Sequence, residues 1–210
     1  MNIVAVNVGM PKPIPVDDEM VSTGIFKKPT EEPVTLTEEG FEGDDQADKK
    51  NHGGVDQAVY LYSAADYAWW SEQLGRDLSP GMFGENLTLS EFPQEVRIGD
   101  RLEFQEVILE VTAPRFPCRV FAAKMNDLSF VKRFRQAERP GFYTRVMQTG
   151  KVRAGEEVAH KPQSSGVGLL ETNTLYFAKD PDPKALERAL RAPLAERLRG
   201  TLEKKLSAAR

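Results

Sequence analysis

Apolar positions in the first 160 residues or so fall in short runs. Residues 34–36, 58–62, 87–89, 102–104 and 107–111 are such runs, each bounded by Gly, Pro, Asp or Glu turn signals. The opening Met1-Asn2-Ile3-Val4-Ala5-Val6-Asn7-Val8-Gly9 reads as a first strand, and no basic region precedes it as in a signal peptide. Short strands at this spacing predict a barrel or a sandwich. Gly99-Asp100 before Arg101-Leu102-Glu103-Phe104 fits a tight turn feeding a strand. Ser63 is placed to cap a helix over residues 64–74 that Gly75 ends. A second helix is expected from Asn126-Asp127 to about Gln136, stopped by Arg139-Pro140-Gly141. The Trp69-Trp70 pair on the first helix reads as core or interface.

The pattern changes after Lys161-Pro162. Gln163-Ser164-Ser165-Gly166 reads as a short polar linker, and helical segments follow near residues 169–177, 184–190 and 194–206. Leu186, Leu190, Leu194, Leu198, Leu202 and Leu206 recur every fourth position, an amphipathic stripe. The expected architecture is mainly β with helices, an α+β class, divided into residues 1–162 and a small trihelical module over 163–210.

Composition narrows the function classes. Hydrophobic residues make up 40% of the 210, enough for a substantial core. The net charge of −4 argues against a nucleic-acid-binding domain, so the trihelical unit reads as a packing or dimerisation module. No apolar run approaches the ~18 residues that span a bilayer. One cysteine, Cys118, excludes an intrachain disulfide, and a cytoplasmic location is the default expectation. With His52 and His160 as the only histidines, neither a Cys-ligated iron–sulfur cluster nor structural zinc is plausible. A redox centre here has to bring most of its ligands with it.

Three segments place chemically useful residues beside glycines or prolines. In the first, residues 40–59, Gly53-Gly54 lets the backbone offer amides to an anion, and Lys49, Lys50 and His52 add charge there. A solvated surface loop accounts for the same segment equally well. The second, Gly81-Met82-Phe83-Gly84-Glu85-Asn86-Leu87, leads into a strand with a carboxylate and an amide, of which Asn86 fits a plain turn residue. The third is Ala113-Pro114-Arg115-Phe116-Pro117-Cys118-Arg119. Inert cysteines sit in apolar runs, whereas this one lies between prolines and guanidinium groups that favour the thiolate, the nucleophilic and metal-binding form.

Taken in order, these segments resemble the MOSC family, the molybdenum-cofactor sulfurase C-terminal domain, in its YiiM-type branch linked to resistance to N-hydroxylated purines. The residues that carry the resemblance include Gly40 to Asp48, Lys50, His52-Gly53-Gly54, Phe83-Gly84-Glu85-Asn86-Leu87, Gly99-Asp100 and Pro114-Arg115-Phe116-Pro117-Cys118. After the cysteine this chain has Arg119 and Val120, where that branch often has an aromatic residue and a lysine. The resemblance implies a MOSC-type β-barrel with a C-terminal three-helix module. It also implies molybdenum held by a pyranopterin dithiolene, with Cys118 completing the coordination. A dithiolene supplies two sulfurs, so one protein thiolate suffices for a soft metal centre.

The reaction so implied is reduction of N-hydroxylated bases such as 6-N-hydroxylaminopurine. Arg115 would neutralise cofactor charge, Asn86 and Glu85 would hold the pterin or orient substrate, and Lys50, His52, Gly53 and Gly54 would hold its phosphate. His52 or Asp44 would donate protons, His52 being preferred for a pKa that is ordinarily near 6.5. No Gly-x-Gly-x-x-Gly is present, so electrons are expected from a separate protein. A homodimer through the helical tail or the Trp69-Trp70 helix is a further expectation. Two alternatives stand beside this one: a non-catalytic carrier of cofactor or sulfur on Cys118, and a cofactor-free cysteine hydrolase or transferase pairing Cys118 with His52.

Overall fold

The structure, a computed structural model, describes residues 1–45, 54–164 and 166–209. Its main sheet forms where apolar runs pair. Strand β1 (Ile3–Val8) is buried except at Val4 and Val8, and it lies between β4 (Lys28–Thr30) and β8 (Leu87–Leu89), antiparallel to both. Strand β7 (Val59–Ser63) is buried at every position and runs parallel to β8, so both its faces are covered and its sequence is apolar and aromatic without alternation. The sheet continues through β11 (Phe142–Gln148), β10 (Ile108–Pro114), β9 (Arg101–Glu103) and β13 (Ala159–Lys161). Among the described residues it has eight strands in the order β13-β9-β10-β11-β7-β8-β1-β4. The end strands do not pair with each other, so the expected barrel is an open, barrel-like sheet. Bulges in β1 and β10 add the local twist that curls it.

Two smaller sheets flank this one. Strands β5 (Val34–Thr37), β6 (Gly40–Phe41) and β12 (Gly150–Val152) form one, and β2 (Lys12–Val16) pairs with β3 (Glu19–Thr23) in a separate hairpin. The strand patterns above omit that hairpin because Pro13 and Pro15 read as breakers. A two-stranded ribbon tolerates them, since each strand has an outer edge where a missing N–H costs nothing.

Helix α1 (Ala64–Leu74) forms as its caps predict. The Ser63 Oγ accepts from the Asp66 N–H at 3.0 Å and donates to its carboxylate at 2.8 Å, and Gly75 closes the helix at φ 62. The helix expected from Asn126-Asp127 ends at Gln136 as expected but starts later, at Phe130, a correction, and a separate helix precedes it. Helix α2 (Arg119–Met125) starts at Cys118, and Asn126 ends it in the left-handed conformation at φ 53. Helix α3 (Phe130–Gln136) follows, after Asp127 has accepted from the Ser129 N–H at 2.9 Å. Asn and Asp cap helix starts, but Asn is also tolerated in the left-handed stop position, and here the stop wins.

The C-terminal helices α4 (Leu169–Phe177), α5 (Pro183–Ala189) and α6 (Glu196–Ala208) pack onto the sheet. Leu186, Leu198 and Leu202 belong to the same buried cluster as Leu61, Leu87 and Val111, so sheet and helices share one core. Asp56 reaches across to accept from the Glu196 N–H at 2.8 Å, capping α6 from the sheet side, and it pairs with Arg145 at 2.9 Å. A second, aromatic cluster of Tyr60, Tyr62, Tyr67, Trp70, Phe83, Phe121, Phe130 and Phe134 lies under α1, α2 and α3. Trp70 is buried in it, while Trp69 lies at its edge against Arg139. Among the described residues no helix is long and apolar enough to cross a membrane.

Candidate functional site

Strand β10 ends at Pro114, and Arg115-Phe116-Pro117-Cys118 turns the chain into α2. The turn delivers Cys118, half-buried, to a cleft with a volume of about 100 Å³ that opens to solvent. One wall is the strap formed by Val21, Ser22, Thr23, Gly24 and Ile25, which leads on to Lys27. The others carry Tyr60, Tyr143, Phe116, Val120, Gly84, Asn86 and Arg115.

Arg115 is buried at 5% exposure, and among the described residues no carboxylate is in hydrogen-bond contact with it. Its Nη1 donates to the Phe83 carbonyl at 2.7 Å, and its guanidinium lies 4.0 Å from the Phe121 ring and 4.9 Å from Tyr60. Burial pulls its pKa down, but the neighbouring Tyr60, Tyr143 and Cys118 outweigh that and hold it charged. Burial pushes the Tyr143 hydroxyl up, against the pull of Arg115. The cleft therefore has a fixed positive charge in an aromatic wall, close to its thiol.

Lys27 is the second cation. It is nearly buried and ion-paired with Asp44, whose carboxylate also accepts from the Gly9 N–H at 3.0 Å and from Asn86 Nδ2 at 2.9 Å. Burial lowers the Lys27 pKa and Asp44 opposes the shift. Both carboxylate oxygens of Asp44 thus act as acceptors, the pattern of an anion that positions Lys27 rather than of a proton donor. Asn86 is committed as well, since its Oδ1 accepts from the Tyr60 N–H at 3.2 Å. It lines the cleft while tying β7, β8 and Asp44 together.

Gly81 and Gly84 explain why the second segment is glycine-bounded. Both have positive φ, 81° and 80°. A Cβ on Gly81 would sit 2.6 Å from the Lys27 carbonyl oxygen, and one on Gly84 would sit 2.7 Å from Ile25 Cγ1. The strap can lie on this turn only because neither has a side chain. Glu85 does not line the cleft. It is fully buried inside the turn, accepting from the Gly81 N–H at 2.6 Å, Thr88 Oγ1 at 2.8 Å and the Tyr67 hydroxyl at 2.8 Å, and burial pushes its pKa up. Lys124 completes the arrangement from α2, donating to the Ile25 carbonyl at 2.6 Å and the Gly81 carbonyl at 2.9 Å. Burial, helped by Arg115 and Lys27, pushes its pKa down to about 7 against the pull of Glu85.

Of the residues read from the sequence, Cys118, Arg115 and Asn86 line one cleft. Asp44 reaches it through Lys27 and Asn86 but lines a neighbouring cleft together with the exposed Gly54. Lys50, His52 and Gly53 lie outside the described residues. His160 is elsewhere, bonded at 2.8 Å to the buried Asp100. Lys27, Lys124, Tyr60, Tyr143 and the strap were not legible, because no local pattern distinguishes them from surface lysines or strand aromatics. Among the described residues no three His, Cys, Asp or Glu side chains are grouped to hold a metal ion.

The chain matches the MOSC domain over residues 48–159 and the YiiM-like 3-alpha helix domain over residues 168–209. Protein YflK of Bacillus subtilis is 37% identical over 97% of this chain and 94% of its own length. The crystal structure of YiiM from Geobacillus stearothermophilus superposes with a TM-score of 0.81, at 28% identity and 98% coverage of both chains. A reductase of Gibberella moniliformis is 30% identical over 66% of this chain, which spans only 26% of that protein.

Proposed function

The chain belongs to the MOSC domain family, in its YiiM-like branch, and on that premise we propose that it is a molybdenum-cofactor-dependent reductase of N-hydroxylated bases. The observation that carries this reading is a thiol in one cleft with two buried cations, Arg115 and Lys27. The donor chemistry fits the cofactor. A thiolate is a suitable soft ligand, the cations suit a dithiolene and a phosphate, and Tyr60 and Tyr143 offer flat surfaces to a pterin. A relative named as a reductase points the same way.

When bound, the cofactor supplies the two electrons that reductive cleavage of an N–O bond consumes. Conversion of R–NH–OH to R–NH2 and water also takes two protons. Cys118 holds the metal. Arg115, charged at all accessible pH, balances the anionic ligand field without titrating. Lys27, fixed by Asp44, offers its N–H groups to the cleft wall beside Asn86. His52 is the proton donor in this proposal, for its titration range. A separate protein delivers electrons, and a homodimer is the assembly we propose.

The test is molybdenum and pterin content of protein made in a host that synthesises the cofactor, followed by a 6-N-hydroxylaminopurine reduction assay. Stoichiometric molybdenum in the wild type and its loss in Cys118→Ala are expected. A wild type without molybdenum, or a Cys118→Ala variant that keeps it, refutes the proposal. Bound cofactor with no turnover from any electron donor replaces the reductase with a carrier.

A further inference from the structure

The C-terminal helices have no chemistry of their own in the reading above, yet one of them reaches the cleft wall at second hand. Phe116, two residues before Cys118, lines the cleft. Its ring is stacked on Tyr176, with centroids 3.6 Å apart and planes 16° from parallel. Tyr176 lies in the last turn of α4 and is not itself on the cleft. Phe177 meets both rings edge-on, at 5.6 Å from Phe116 and 5.0 Å from Tyr176. The Arg135 guanidinium, from α3, lies 4.1 Å from the Phe177 ring. The chain thus leaves Phe116 into α2 and α3 and comes back to it through Arg135, Phe177 and Tyr176. Tyr176 covers one face of Phe116, so what the cleft receives is the opposite face or the edge.

We propose that the three-helix module is part of the substrate site, with Tyr176 a positioning residue that holds the Phe116 ring where flat aromatic substrates stack on it. This rests on the reading of the cleft as the reductase site. Tyr60 and Tyr143, whose rings are 5.1 Å apart, are the aromatic surface left to the pterin in the same cleft. Stacking on a ring is sensitive to how the ring is held, because parallel and edge-on contacts need defined centroid distances and tilts. An unsupported Phe116 has free rotation about two side-chain bonds, and binding must then restrain it.

The experiment measures adenine binding by titration calorimetry to the purified, molybdenum-loaded full chain, in the wild type and in Tyr176→Leu, Tyr176→Phe and Phe116→Leu. Loss of one aromatic pair predicts about fivefold weaker adenine binding for Tyr176→Leu, and a similar or larger loss for Phe116→Leu. Tyr176→Phe is expected to keep wild-type affinity, since it keeps the ring. Molybdenum per chain stays the same in the Tyr176 variants, and in turnover of 6-N-hydroxylaminopurine the Tyr176→Leu effect falls on KM more than on kcat. No adenine binding by the wild type, undiminished binding by Tyr176→Leu or Phe116→Leu, or no recovery in Tyr176→Phe overturns the proposal. Should Tyr176→Leu not fold, Phe116→Leu and Tyr176→Phe still decide it. Failure of the reductase reading has its own signature: the adenine pattern holds while loaded wild type turns nothing over.

Discussion

Replacing Gly81 with alanine tests whether the strap depends on the bare backbone of the turn beneath it. Two costs add. An L-residue held at φ +81 costs about 1–2 kcal/mol. The new methyl would also sit 2.6 Å from the Lys27 carbonyl oxygen and 2.9 Å from its carbon, so backbone must move. Forced displacement of packed groups costs about 1–3 kcal/mol, for a total of about 2–5. Gly155→Ala is the matched control, because Gly155 has φ +87 and nothing within 4 Å of where its Cβ would be. It should lose only the conformational part, about 1–2 kcal/mol. Urea unfolding of both variants in the same cofactor state reads the difference as a shift in midpoint at constant slope. For a chain of this size the gap also appears as about 2–4 °C of Tm per kcal/mol. Equal losses in the two variants would refute the idea that contact with Lys27 is what forbids a side chain at Gly81.

Three other outcomes follow from the same site. Lys27→Met should destabilise the fold by about 3–5 kcal/mol by leaving Asp44 buried without its cation. A Lys27→Met, Asp44→Leu double variant should recover much of that loss in urea unfolding, and failure to recover would mean the pair was not the cause. Lys124 should shape stability above neutrality. Its pKa is about 7 folded and near 10.5 in its ordinary state, so between those values the unfolded chain binds the extra proton. Stability from this group therefore rises as pH goes from about 7 to 10, and the rise should be missing in Lys124→Met when the two unfolding profiles are subtracted. Cys118→Ala should fold normally by circular dichroism and purify without molybdenum.

Elements were legible where both ends carry their own signal. Ser63 and Gly75 bracket α1 with a hydroxyl acceptor and a left-handed stop, and the run Leu87–Leu89, with leucine at both ends, is buried at each position. The hairpin of β2 and β3 and helix α2 were not, because Pro13 and Pro15 are acceptable only on an edge and Asn126 suits either end of a helix. The site divided along similar lines. Cys118 and Arg115 announced themselves through an unusual local setting. Lys27 did not, since its meaning comes from Asp44, 17 residues away, and from Asn86, farther still. Glu85 was flagged for its neighbours, yet its carboxylate is spent inside the turn that made those neighbours conspicuous.

The parallel pairing of β7 with β8 has a consequence in time. A parallel neighbour cannot be reached by a hairpin, and the excursion between these strands carries α1 and the Gly81–Gly84 turn before β8 can dock beside β7. The strand on the other side of β7 is β11, some 80 residues later, and its Tyr143 closes the cleft. Such distant closures come late in folding and late in synthesis. Until Tyr143 has left the ribosome the cleft lacks that wall, so whatever the cleft holds must be captured by a polypeptide already long enough to fold around it.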